Sequence, residues 1–241
     1  MAGTGTRRAR YLIAFAAVCA LVVVVAAISL PAGAAKLKTL GNTDQTPPPD
    51  CPESGAFPCF AIGRVTGFML VADGQKHPFS VRESGKVVAW ALDSSRPKKR
   101  ERHFFGSIFG NEKFGDAPAA RLAVLKRKEH RKYKLLRQSP IVKLSGALGR
   151  KEVITLDKPL RIRKGQVVAL TYPTWGPNFA TTHVDSNADQ WRASRKHSRC
   201  NTEKPSNAKR SRPHQKIGSI RAYRCDYKAA RLLYWAYYVP S

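Results

Sequence analysis

The chain reads as an all-β protein, an antiparallel β-sandwich preceded by an N-terminal hydrophobic helix, and three observations lead there. Seven short runs rich in Val, Leu, Tyr and Trp lie between residues 60 and 239, each bounded by Gly, Pro, Asp or Lys. After residue 36 no uninterrupted 15-residue stretch has helical periodicity. Many short strands between turn residues are the pattern of a sandwich. Ahead of them stands Tyr11–Leu30, twenty consecutive uncharged and mostly apolar residues.

That first segment is an export signal by its order. Arg7, Arg8 and Arg10 precede it and Pro31-Ala-Gly-Ala-Ala35 follows. Arginines stay cytoplasmic while the apolar run enters the translocon. Ala32-x-Ala34 and Gly33-x-Ala35 both supply the small side chains of a peptidase site. Twenty apolar residues also suffice to span a bilayer. Residues 1–35 are therefore expected to be a cleaved signal peptide or a retained transmembrane anchor. The remainder is expected outside, either secreted or held on the outer face of the cytoplasmic membrane. Cys19 follows Val18 rather than a small residue, unlike a lipoprotein site, and Arg10 stands where a twin-arginine signal has an apolar residue.

Residues 36–50, which end in Gln-Thr-Pro-Pro-Pro-Asp, are polar and proline-rich and read as a linker. Residues 51–241 are long enough for one core and do not demand a second domain. Within them Phe60–Val71, Val87–Leu92, Ala120–Leu125, Tyr133–Leu136, Val153–Leu156, Val167–Tyr172 and Arg231–Val239 are the expected strands. Lys151–Leu156 alternates between two faces, and Lys and Arg at strand edges discourage edge-to-edge pairing.

Asp157-Lys-Pro-Leu-Arg-Ile-Arg-Lys-Gly-Gln-Val-Val-Ala-Leu170 resembles the strand, Lys-Gly turn, strand unit of secreted jelly-roll modules. Gly165 tolerates positive φ at the turn, while Val167, Val168 and Leu170 supply a buried face. The resemblance implies a jelly-roll-like sandwich and an exported location. It implies no activity, because sandwiches host many unrelated functions.

Four cysteines remain beyond the N-terminal segment: Cys51, Cys59, Cys200 and Cys225. They allow three pairings; Cys51–Cys59 and Cys200–Cys225 are expected because each closes a short local loop. The second would tie down the Lys/Arg-rich stretch between its ends, contributing about 3 kcal/mol through the unfolded chain. No Cys-x-x-Cys pair suggests zinc.

The formal net charge is +27, and it is uneven. Residues 191–224 hold eleven Lys or Arg against one acid, Glu203, a net +10. Such a field attracts polyanions in a salt-sensitive way. Export turns that expectation away from nucleic acid and towards an anionic cell-envelope polymer, a lipid headgroup or a polysaccharide. The candidate contacts are Arg192, Arg195, Lys196, Arg199, Lys209, Arg210, Arg212 and Lys216. Basic runs also occur at Arg96–Arg102 and Lys126–Lys134, the first matching a nuclear-localisation pattern that export makes accidental.

Other constellations point to less. Asp185-Ser-Asn-Ala-Asp189 spaces oxygen ligands as a calcium loop does, but Gln190 and Lys196 replace the Gly and Glu that such loops need, so a turn is expected. Glu152 and Asp157 are not arranged as a glycosidase pair, and no Gly-x-Ser-x-Gly is present. No catalytic residue, metal or cofactor is assigned. Phe104, Phe105, Ile108 and Phe109 have the spacing of one apolar helical face packed on the sandwich. Tyr172, Trp175 and Phe179 surround two prolines and offer a stacking platform for a sugar. The expected function is therefore a non-catalytic exported domain that docks on an anionic polymer. A carbohydrate-binding module is the alternative, and a secreted hydrolase a more distant one.

Overall fold

The computed structural model describes residues 36–51, 59–182, 184–201 and 204–241. The Tyr11–Leu30 segment, and with it the signal, anchor or helix expected there, lies outside the described residues. Strands dominate, and every pairing among them is antiparallel. In chain order the first are β1 (Lys38–Leu40), β2 (Ile62–Ala72), β3 (Gln75–Lys76) and β4 (Gly85–Asp93), followed by the helix α1 (Lys99–Phe109). Then come β5 (Ala119–Arg127), β6 (Lys132–Gln138), β7 (Val142–Lys143), β8 (Lys151–Ile162), β9 (Val167–Gly176), β10 (Phe179–Ala180) and β11 (Gln190–Ala193). A short helix α2 (Pro205–Arg210) precedes β12 (Ile220–Ala222), β13 (Cys225–Lys228), β14 (Arg231–Leu232) and β15 (Tyr234–Pro240).

Two main sheets result. One has the order β1-β15-β4-β8; the other runs β12-β6-β5-β9-β2-β11-β13, with β3 and β7 as side additions. Their side chains share one core. The Phe79 ring stacks on Tyr234 at 4.0 Å, and the Tyr234 hydroxyl donates to the Val168 carbonyl at 3.1 Å, joining β15 to β9. The ends of the larger sheet come together. β12 and β13 occupy opposite ends of the strand path, yet only Tyr223 and Arg224 separate them in sequence. The sheet therefore curls, and aromatic rings fill the curl: Phe68 meets Tyr133 at 5.2 Å and Tyr133 meets Tyr223 at 4.9 Å.

Six of the seven expected strands form, although β8 runs on to Ile162; the seventh, Arg231–Val239, is two strands, β14 pairing with β10 and β15 with β4. The Asp157–Leu170 unit is a strand, turn and strand, with Gly165 at φ +78°. Its two strands belong to different sheets, so the turn carries the chain across the core. All ten residues of β9 are buried, not the one face expected. Tyr172 bonds Asn178 and Thr171 meets Thr66 on β2, and Val168 takes the bond from Tyr234 of the four-stranded sheet, so both faces of β9 are covered.

Residues 38–50 are not a linker. β1 pairs with β15, and Arg231 donates to the Gln45 carbonyl and the Thr43 hydroxyl. Asp50 is 2 % exposed, and its carboxylate accepts the N–H and hydroxyl of both Thr181 and Thr182. A proline-rich composition weakens regular secondary structure but does not prevent such side-chain anchoring.

Phe104–Phe109 lies on α1, whose first turn is fixed when Glu101 accepts the Lys98 N–H. Phe105 and Phe109 are buried with Trp175 and Ala208, but Phe104 is 56 % exposed. Phe104 sits one position off the contact face and leaves it. Phe109 fits because β2 presents Gly63 to it; a Cβ there would lie 2.2 Å from the ring. This small cluster anchors α2 to α1 and β9 through Ala208.

Candidate anion-binding cleft

The +10 segment runs between β11 and β13 and is closed by a disulfide between Cys200 and Cys225; Cys51 pairs with Cys59. β11 and β13 are themselves paired, Ala193 opposite Cys225, so both ends of the segment start from one rigid edge. From there it passes through α2 and returns as β12 on β6. The fold thus presents the basic residues on a braced loop, because the disulfide, α2 and β12 all tie it to the body.

A cleft of about 330 Å³ lies in this segment, lined by Ser194, Arg195, Lys196, Arg199, Ser211, Arg212, Ile220, Arg221 and Ala222. That volume is at the small end of ligand pockets. Of the nine described lining residues five are cationic and none is acidic. Arg195 forms its inner wall at 5 % exposure. Its guanidinium donates to Ser211 Oγ at 3.4 Å, Tyr227 Oη at 3.0 Å and the Gly63 carbonyl at 3.2 Å. It also lies 5.9 Å and 5.6 Å from the centroids of the stacked Trp191 and Tyr227 rings. Every one of these partners is neutral. Burial pushes Arg195 down from its ordinary pKa, but a guanidinium stays charged in a protein. A buried cation with no counter-charge among the described residues is held at a free-energy cost that an incoming anion would relieve.

The other arginines share one mode of attachment. Arg199 Nη1 donates to the Arg210 carbonyl at 2.7 Å, and Arg212 Nη1 to the carbonyls of Lys209 and Ser211 at 2.8 and 3.0 Å. Arg221 Nη1 donates to the carbonyls of Arg212 and Pro213. Each guanidinium is oriented through one nitrogen by the 209–213 backbone. The Nε and Nη2 edge of all three meets no carboxylate among the described residues. That edge is the fork that binds phosphate or carboxylate bidentately. Arg64, on β2, adds positive charge; burial and the neighbouring Arg212 both lower its pKa.

Behind the cleft His214 is 1 % exposed, its ring between Tyr223 and Ser219. Burial, and then the nearby Arg221, pull it down to about 4, so the ring is neutral at physiological pH. The His214 N–H donates to Thr66 Oγ1 at 2.9 Å and fixes the loop to β2.

Of the eight candidate polyanion contacts, the structure brings Arg195, Lys196, Arg199 and Arg212 together in the cleft. Lys209 and Arg210 are exposed on α2, and Lys216 is exposed on the turn before β12. Arg192 is a correction. It lies on β11 and is bound by Asp226, so its charge is already compensated. Arg221 was missed, although it falls within the +10 segment; its attachment through Nη1 is a tertiary feature that charge counting does not reveal.

The sugar platform is also corrected. Tyr172 and Trp175 are 0 % and 1 % exposed, and Phe179 is half-buried against Trp191 at 6.1 Å. Tyr172 Oη donates to Asn178 Oδ1, and Trp175 Nε1 to the Asp116 carbonyl. With their polar atoms satisfied internally and their faces in the core, these rings offer nothing to a saccharide. Asp185–Asp189 forms a turn in which Asp185 Oδ1 accepts the Asn187 N–H, while Asp189 binds the Asp73 N–H. Glu152 pairs with Arg150 on the surface.

No protein-family model, curated protein or solved structure matches the chain.

Proposed function

We propose that this protein is an exported, non-catalytic β-sandwich of jelly-roll type whose disulfide-braced basic segment binds an anionic polymer or headgroup of the cell envelope. The observation that carries the reading is the cleft itself: five cationic side chains around about 330 Å³, with no acid among its described lining residues. A solvated surface kept basic for solubility needs no such convergence, and it does not bury a guanidinium among neutral partners. The two disulfides are consistent with an oxidising compartment, where envelope anions are the available polyanions.

Phosphate-rich ligands fit best. Guanidinium forks bind phosphate oxygens in pairs, and Arg199, Arg212 and Arg221 are each oriented through Nη1 with no carboxylate partner among the described residues. The test is binding of inorganic polyphosphate to the oxidised full chain across a salt series. Binding that weakens steeply as salt rises is expected. Retention that is indifferent to ionic strength would overturn the electrostatic reading.

A further inference from the structure

Ile217 and Ile220 are 56 % and 54 % exposed, and Ile220 is part of the cleft lining. Their turn is rigid. The Ser219 N–H donates to the Lys216 carbonyl at 3.2 Å, and Gly218, at φ +84°, takes the third corner with Ile217 at the tip. The Gly218 N–H reaches the Leu135 carbonyl at 2.7 Å, and the Leu135 N–H returns to the Ser219 carbonyl at 3.1 Å. Ser219 Oγ donates to the Lys216 carbonyl at 2.6 Å, so His214 Nε2 is the donor in its 2.9 Å bond to that oxygen. Nδ1 is then left to accept from Tyr223 Oη at 3.2 Å. A buried imidazole thus props a turn whose tip is apolar and faces water.

The apolar tip and the charge form one surface. Lys216 precedes Ile217, Arg221 follows Ile220, and Ile220 lines the arginine cleft. Across the ladder Lys134 is opposite Ile220, and Lys126 is opposite Lys134. Like charges directly opposite in a sheet repel unless a counter-charge lies over them.

We infer that this surface docks on an anionic lipid bilayer, with headgroup phosphates in the cleft and Ile217 and Ile220 in the headgroup–acyl boundary. The inference rests on the anion reading above and names its partner. A soluble polymer would use the cations and leave the isoleucines in water. A bilayer uses both, charge drawing the protein down and apolar side chains entering the interface.

The native tryptophans Trp90, Trp175, Trp191 and Trp235 are all buried, so a further indole at the turn reports its own surroundings. The experiment places I217W in the full chain with vesicles of brominated phosphatidylglycerol. The V153W variant is the control, since Val153 is 55 % exposed on β8 in the other sheet. Both variants keep Tyr11–Leu30, which therefore acts equally on each. The I217W emission should shift to the blue and be quenched, with V153W unaffected and phosphatidylcholine vesicles inert. Adding R212Q and R221Q to I217W should weaken the effect about 25-fold, from about five-fold per cation. Ile217→Ser alone, outside the cleft lining, should abolish vesicle binding and leave polyphosphate binding intact. If polyphosphate binds but the I217W signal is unchanged, or V153W is quenched as strongly, the bilayer is the wrong partner. If polyphosphate also fails to bind, the proposed function itself falls.

Discussion

Arg192 grips Asp226 through two parallel bonds, Nε to Oδ1 at 2.7 Å and Nη2 to Oδ2 at 2.8 Å. The pair ties β11 to β13, and Arg131 adds a third contact to Asp226 Oδ2 at 3.2 Å. The hydrogen bond to Asp226 raises the Arg192 pKa, the reverse of the burial effect on Arg195. Two arginines three residues apart therefore differ in kind, one neutralised and one not. Asp226→Ala would leave Arg192 half-buried and unpaired, and should destabilise the fold by about 2 kcal/mol in urea denaturation. Polyphosphate affinity should not fall, because the cleft loses no cation.

His214 makes stability depend on pH. Its folded pKa is about 4, below the ordinary imidazole value, because burial disfavours the charged ring. Between those two values the unfolded chain holds a proton that the folded ring refuses. Stability is therefore intact above about pH 6.5 and is lost as pH falls towards 4, by up to about 3 kcal/mol. At pH 5 the loss should be about 2 kcal/mol relative to pH 7. His214→Gln should remove most of that difference, measured as denaturation midpoints of the two proteins at both pH values.

Reduction should act on fold and function together. Cys200–Cys225 spans a sequence separation of 25, for which loop-closure entropy gives about 3 kcal/mol. Cys200→Ser with Cys225→Ser should lower stability by about that amount. It should also weaken polyphosphate binding, because Arg212 and Arg221 lie within the loop that the bridge closes and Arg199 adjoins Cys200. Unchanged affinity in the folded double-serine protein would show that the bridge does not shape the cleft.

Trp175→Ala should behave as a core mutation. The ring lies 5.2 Å from Phe105, and both belong to the cluster that holds α1 and α2. A loss of about 3 to 5 kcal/mol is expected from thermal or chemical denaturation. Binding by the fraction that remains folded should fall only so far as α2 moves.

Strand alternation is legible in the local sequence, whereas contacts between distant residues are not. Val153 and Ile154 alternate in exposure along β8 because one neighbour sheet and one solvent face impose a period of two. The two disulfides followed from loop length alone. By contrast, nothing near Asp50 announces that Thr181 and Thr182 will bind it, so the sequence of residues 36–50 reads as a linker. Tyr172 and Trp175 looked available because their partners, Asn178 and Asp116, mark burial only once the chain is folded. In the basic segment, charge density located the region. Which arginines stay unpaired depended on Asp226, 34 residues from Arg192. β12 is three residues long, too short for a pattern, and so the curl of the larger sheet was invisible.

The most direct test compares two variants with equal loss of charge. One carries Arg199→Gln, Arg212→Gln and Arg221→Gln in the cleft; the other carries Lys158→Gln, Arg161→Gln and Lys164→Gln, exposed on β8 and the turn after it. Polyphosphate affinity is measured for both at low and moderate salt. The account predicts that the cleft variant loses about a hundred-fold, at about five-fold per cation, and most of its salt dependence, while the β8 variant stays close to wild type. Equal losses in the two would mean that overall charge, not the arginine cleft, draws the anion, and would contradict the account.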